Sequence, residues 1–266
     1  MDRSVFARLL NRPTDSNKYD YGHVLVIGGS PGMVGAPFLS ASAALRVGAG
    51  LVTIASTPEV IDKLEERVVE LMTLRLPEDN PVPTLKSFIR DRKVSVIVFG
   101  PGIKPEFASK MLGSHAAFGL PVIIDGGALT ALAAHEELFA SNFILTPHAG
   151  EFKRFSDSND DPADFAHTHD VVLVLKGQPT RVFGQDGESY ENTTGGPALA
   201  TAGTGDTLTG LIAGIIAQKI KPFEACKAAV YLGGLASDLA AADKTVAGVI
   251  ASDIIELIPQ ALKASR

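Results

Sequence analysis

Short continuous apolar runs recur along the first two thirds of the chain. VLVIGG (24–29), LVTIAS (51–56), VSVIVFG (94–100), PVIID (121–125), NFILTP (142–147) and VVLVLKG (171–177) are rich in Val, Ile and Leu and barely alternate. That pattern predicts strands covered on both faces. Between them, apolar positions recur at helical spacing over Ala36–Val47, Pro58–Val68, Glu106–Ala117 and Ala128–Leu138. A β-α-β-α order predicts a mostly parallel central sheet with helices on both sides, a three-layer α/β/α sandwich. The rhythm then changes. TRVFG (180–184) and ESYEN (188–192) flank Gln185-Asp186-Gly187, which predicts an antiparallel hairpin. Helices are predicted over Asp206–Gln218, Phe223–Ala242 and Ala251–Ala264.

Composition narrows the function classes. The chain has 266 residues, 45% hydrophobic and 20% charged, and a mean hydropathy of +0.19. It is expected to form a single globular domain over 1–266. The net charge is −6 and no basic run occurs, so nucleic acid is a poor candidate partner. The single cysteine, Cys226, allows no intramolecular disulfide, fits a reducing cytoplasm, and sits in an apolar helical stretch where it is expected to pack. The N-terminus lacks the apolar core of a signal peptide, and the apolar stretch after Asp206 is too short to span a bilayer, so no membrane partner is expected. The polar run 157–162 is expected to be a solvated loop, without the Gly and distal Glu of a calcium loop. His167 and His169 are expected in a solvated loop, for want of a third ligand, and no Cys/His zinc pattern occurs.

The strongest chemical signal is Ala202-Gly203-Thr204-Gly205-Asp206, followed directly by an apolar helix. Glycines leave backbone N–H groups open, and a helix N-terminus adds the positive end of its dipole. Together they form an anion hole suited to phosphate oxygens. Asp206 at the helix start has two readings. It is either an N-cap, worth roughly 1 kcal/mol, or a general base beside a hole that stabilises a transferring phosphoryl group. The first strand ends in Gly28-Gly29-Ser30-Pro31-Gly32-Met33-Val34-Gly35, which is no Walker A loop and a poor dinucleotide fingerprint. It matches Gly-x-Ser-x-Gly, and Asp125 and His148 follow in hydrolase order, although an elbow normally has several strands before it. Gly100-Pro101-Gly102, Asp125-Gly126-Gly127, Thr146–Glu151 and Lys176-Gly177 each close a strand. In parallel α/β sheets such ends share one crevice, yet each taken alone fits ordinary turn chemistry.

These blocks run in order over nearly the whole chain. GHVLVIGGSPGMVGAPF, VFGPGI, PVIIDGGAL, LTPHAGEFKRF, VVLVLKGQPT and NTTGGPALATAGTGDTLTG resemble the NAD(P)H-hydrate dehydratase family, a branch of the ribokinase-like superfamily. The resemblance implies a ribokinase-like fold. It implies dehydration of the S epimer of NADH or NADPH hydrate with ADP or ATP as co-substrate and Mg2+, through phosphorylation of the ring hydroxyl and loss of phosphate. Asp206 is then the base and a hydrate contact. Ala36, Gly102 and His148 resemble the family's hydrate-binding positions. Lys176, Gly177, Gln178, Pro179 and Thr180, with Gly205, resemble its nucleotide-binding positions, and Gly203 and Thr204 complete the anion hole. Departures are small: TPHAGE lacks a proline after His148, and DGGAL has Gly126 where the family has alanine. An epimerase domain, often fused N-terminally in the family, is not expected here, so a separate epimerase is. A homo-oligomer, a tetramer among the options, is also implied. ADP and ATP remain equally open. A ribokinase-like small-molecule kinase, for instance of a thiazole alcohol, would share the hole and Asp206 and release a phosphorylated product; the TPHAGE block and the first glycine loop favour the dehydratase. A non-catalytic nucleotide-binding module would have no use for Asp206.

Overall fold

The computed structural model describes residues 3–115, 118–156 and 161–266. Among these residues, nine strands form one sheet: β1 (His23–Ile27), β2 (Leu51–Ser56), β3 (Met72–Arg75), β4 (Val96–Phe99), β5 (Val122–Ile124), β6 (Phe143–Leu145), β7 (Val172–Leu175), β8 (Arg181–Phe183) and β9 (Ser189–Glu191). Their order is β3-β2-β1-β4-β5-β6-β7-β8-β9. The first seven run parallel, and β8 and β9 turn back antiparallel. The continuous apolar runs follow from coverage on both faces. Val24 and Val26 of β1 join one hydrophobic cluster, and Leu25 and Ile27 join the other. The first cluster is capped by α1 (Ser4–Leu10), α2 (Gly35–Val47), α3 (Pro58–Glu65), α9 (Thr204–Ala217), α10 (Pro222–Asp243) and α11 (Ala251–Ala264). The second is capped by α4 (Val82–Asp91), α5 (Pro105–His115), α6 (Gly126–Leu132) and α8 (Pro162–Thr168). The short α7 (Ala149–Phe152) follows β6. No described helix is long and apolar enough to cross a membrane. Cys226 is buried, and burial pushes its thiol pKa up.

The expected strands and hairpin are present, trimmed at their ends. Other elements differ. The helix expected over Ala128–Leu138 begins at Gly126 and stops at Leu132, where the backbone tightens: Ala134 N–H donates to Ala131 O and His135 N–H to Leu132 O. His167 and His169 do not lie in a solvated loop. They end α8, whose N-cap is Asp161 with Pro162 next to it. His169 packs against Phe165 and Phe139, with ring centroids 4.3 and 4.6 Å away, and His167 Nδ1 meets Gln185 O at 2.8 Å. Of the polar run at 157–162, residues 157–160 fall outside the described residues, and the rest starts this helix.

The sheet order carries a functional consequence. From β1 the chain steps outward to β2 and β3, then returns to the other side of β1 to lay down β4. The carboxyl ends of β1 and β4 therefore mark the topological switch point, where open α/β sheets bind ligands.

Candidate active site

At the switch point the loops after β1 and β4 interlock. Gly29 N–H donates to Pro101 O (2.8 Å), and the Ser30 hydroxyl donates to Gly102 O (2.8 Å). Gly102 adopts φ +65°, and a Cβ there would lie 2.7 Å from Met33 O and 3.0 Å from Ala36 Cβ. Glycine is therefore required where these two loops touch. Ala36 and Gly102, distant in sequence, are thus neighbours at the switch point.

Farther along the same edge, four charged or polar side chains converge. Asp125 follows β5 and is 5% exposed. Lys176 follows β7, and its Nζ lies 2.8 Å from Asp125 Oδ1 and 3.8 Å from Glu151 Oε2. His148 and Lys176 form a parallel bridge that extends the β6–β7 pairing, and Lys176 N–H donates to Pro147 O (2.8 Å). Burial pulls the Lys176 pKa down, but Asp125, Glu151 and Asp206 outweigh it and hold the ammonium above the usual lysine value. His148 caps α7: its Nδ1 accepts from Gly150 N–H (3.0 Å) and Glu151 N–H (3.1 Å), while Glu151 Oε2 accepts from His148 N–H (2.9 Å). With Nδ1 an acceptor, the neutral ring carries its proton on Nε2.

The opening of α9 faces this cluster. Its N-cap is Gly203, at φ +89°, and no side chain caps the helix. Gly203 O accepts the first helical bond, from Thr207 N–H (2.9 Å). The amides of Thr204, Gly205 and Asp206 precede that bond and have no acceptor among the described residues. Asp206 is the third helical residue, and its carboxylate caps nothing. The capping alternative is thereby removed. Burial, aided by the Asp125 charge and opposed by Lys176, pushes the Asp206 carboxyl up to about 6. A Cβ on Gly205 would sit 3.5 Å from Lys176 Nζ, so cation and free amides converge on one point.

A cavity of about 450 Å³ opens from there. Its polar side is His148, Lys176, Gly177, Gln178, Thr180, Asn192, Thr204 and Gly205, and its apolar side includes Leu199, Leu208, Leu211, Val230 and Ile254. Most of the sequence-selected nucleotide residues therefore share one wall. Pro179 and Gly203 do not line the cavity: Gly203 sets the turn, and Pro179 lies beside Gln178, a residue of that wall. Ala36, Gly102 and Asp206 lie outside the cavity lining. Leu211, Val230, Gly233, Gly234 and Ile254 of the wall were not foreseen. They come from α9, α10 and α11 and look like ordinary core residues in sequence. The hydrolase alternative fails. Ser30 is 4% exposed and donates to Gly102 O, Asp125 engages Lys176 and Thr146, and His148 turns Nδ1 to amides.

A parallel sheet ending in an antiparallel hairpin, with a glycine-turned helix N-terminus and a carboxylate in its first turn, defines a ribokinase-like protein. Residues 24–260 match the NAD(P)H-hydrate dehydratase family, and the chain belongs to that family. It is 36% identical to the bifunctional NAD(P)H-hydrate repair enzyme of Moorella thermoacetica over 97% of this chain, but spans only 52% of that relative. It is 34% identical to the ADP-dependent (S)-NAD(P)H-hydrate dehydratase of Listeria monocytogenes, over 98% of this chain and 95% of the relative. The crystal structure of the ADP/ATP-dependent NAD(P)H-hydrate dehydratase of Bacillus subtilis, co-crystallised with ATP and Mg2+, superposes with a TM-score of 0.81 at 28% identity, covering 100% and 98% of the two chains.

Proposed function

We propose that this chain dehydrates the S epimer of NADH or NADPH hydrate at the expense of ADP or ATP, returning the working cofactor. The observation that carries the proposal is Asp206, an uncapping, partly buried carboxylate beside three unpartnered helix amides and the Lys176 ammonium. Relatives covering the whole chain share this activity by name, which supports it.

The nucleotide's base and ribose enter the apolar slot, and its terminal phosphates meet Lys176, Thr204 and Gly205. Gly177, Gln178, Pro179 and Thr180 form the strand-end wall, and Gly203 sets the turn. The hydrated ring rests in the crevice by Ala36 and Gly102, with His148 Nε2–H on the side of Lys176. Asp206 takes the proton of the ring hydroxyl, whose oxygen attacks the terminal phosphorus. The P–O bond to the nucleotide breaks, and the free amides with Lys176 receive the developing charge. The C–O bond of the new ester then breaks with its electron pair on phosphate, and the neighbouring C–H proton passes to water as its electron pair forms the ring double bond. Phosphorylation is needed because hydroxide is a poor leaving group. Above about pH 6 Asp206 is ionised, as a base must be.

Mg2+ fits this site as a companion of the nucleotide. Among the described residues no group of three His, Cys, Asp or Glu side chains is spaced to hold an ion by itself. Phosphate oxygens and water would hold it, and it would screen phosphate charge. The same reading takes residues 1–266 as one catalytic unit acting in the cytoplasm on the S epimer. The exposed Val246 and Ile250 offer apolar surface for a homo-oligomer such as a tetramer.

The test is Asp206→Asn, assayed with NADH hydrate, Mg2+ and either nucleotide by the absorbance of regenerated NADH. Turnover falls at least about a hundredfold, while ADP binding by calorimetry persists. A mutant that turns over at the wild-type rate removes the assigned base.

A further inference from the structure

We propose that Asp125 is a positioning residue of this reaction: its buried carboxylate anchors the Lys176 ammonium against the opening turn of α9, so that the cation faces the incoming phosphate and Asp206 stays unpaired. The inference rests on the proposed function, but its core is geometric.

Asp125 occupies the N-cap position of α6, in extended conformation, yet its side chain caps nothing. An aspartate at that position ordinarily accepts from the first-turn amides, and giving that up costs helix stability. Here Oδ1 instead accepts from Lys176 Nζ (2.8 Å) and from the Thr146 hydroxyl (2.9 Å). Thr146 is fully buried, so the carboxylate is held from behind as well. The pair links the ends of β5 and β7 across β6, beneath the α9 turn.

The remaining charged neighbours show why an anchor is needed. Lys176 has three carboxylates around it: Asp125, Glu151 at 3.8 Å, and Asp206, which acts on it electrostatically. Glu151 Oε2 is already engaged with His148 N–H and lies 3.5 Å from His148 Nε2. Without Asp125, the ammonium is left between Glu151 and Asp206, and no short contact holds it against the α9 turn. A lysine paired with the base would blunt it and leave the phosphate position. A buried ion pair of this kind adds little net stability, so stability alone does not account for it.

The test compares wild type, Asp125→Asn and Lys176→Gln in the full chain. Asp125→Asn is expected to lower kcat about tenfold or more, with KM for the hydrate within about threefold. The rising limb of its pH–rate profile shifts to lower pH, because a repelling charge near Asp206 is gone and Lys176 remains. Lys176→Gln shifts the same limb upward. In NMR of protein labelled with 13C-lysine, Lys176 titrates lower in Asp125→Asn than in wild type, a readout independent of turnover. An Asp125→Asn protein that melts lower but keeps its kcat and its limb overturns the proposal, since that is what a merely structural pair predicts. If Asp125→Asn does not fold, Thr146→Val, which loosens Oδ1 and keeps the charge, is expected to lower kcat with the limb unmoved; unchanged kcat overturns the proposal. A wild type that leaves NADH hydrate unconsumed defeats the functional reading alone, and the lysine titration still decides the anchor.

Discussion

Asp206 combines reactivity with a cost in stability. Its carboxyl is raised from 3.8 to about 6, first by burial and then by Asp125. The rate of hydrate turnover should therefore rise as pH passes about 6, because the base must be ionised. For folding the sign is the reverse. A carboxyl whose folded pKa lies above its unfolded value favours the folded state at low pH, and that advantage is lost as pH rises from 3.8 through about 6. Asp206→Asn should thus be more stable than wild type at pH 8, by about 1–2 kcal/mol after allowance for solvent screening, and not at pH 4. Thermal melts at both values check this; equal gains at both would reject the charge argument. Asp206, His148 and Lys176 were legible in the sequence because each follows a glycine turn or a strand end. The direction of the Asp125 side chain was not. An aspartate before two glycines reads as a turn or cap, and only the fold brings Lys176, the residue after β7, to place its Nζ 2.8 Å from Asp125 Oδ1.

At the scale of elements, the site depends on how α9 lies against α2. A Cβ on Gly210 would stand 1.9 Å from Ser40 O, and one on Gly214 2.4 Å from Val47 Cγ1. These glycines let the two helices approach backbone to backbone, and they set the depth at which the α9 turn meets Lys176. Gly210→Ala should push α9 away, lowering stability by about 1–3 kcal/mol and weakening ADP binding. Calorimetric titration of ADP in the folded mutant tests the second part; unchanged affinity would show that the turn is positioned otherwise. The parallel strands were readable because burial on both faces leaves continuous Val/Ile/Leu runs. Strand β3 was not: it is a four-residue edge strand, MTLR, with no fully buried side chain. Helix α4 is amphipathic but short and polar on balance, and it buries only Leu85 completely. The α9 helix starts two residues before the expected Asp206, because Gly203, rather than the aspartate, makes the turn.

Across the whole molecule, two halves of the site come from different parts of the chain. The β1–β4 switch point, where Ala36 and Gly102 meet, is a consequence of strand order. The cavity beside Lys176 is closed by α9, α10 and α11, which pack on one face of the sheet. Its apolar wall could not be separated from core in the sequence, since Leu211, Val230 and Ile254 serve both. Nucleotide should bind only the assembled fold. ADP at a hundred times its Kd is expected to add about 2.7 kcal/mol and raise Tm by about 5–10 °C, and NADH hydrate should add to the shift. No shift with either nucleotide would mean the cavity takes another ligand. In the proposed reaction the α9 amides and Asp206 move a phosphoryl group to the ring hydroxyl before the double bond returns. The decisive measurement counts phosphate released against NADH formed, in one reaction with ADP or ATP. One phosphate per NADH is the predicted result; NADH formed without phosphate release, or a phosphorylated product that never yields NADH, would contradict it.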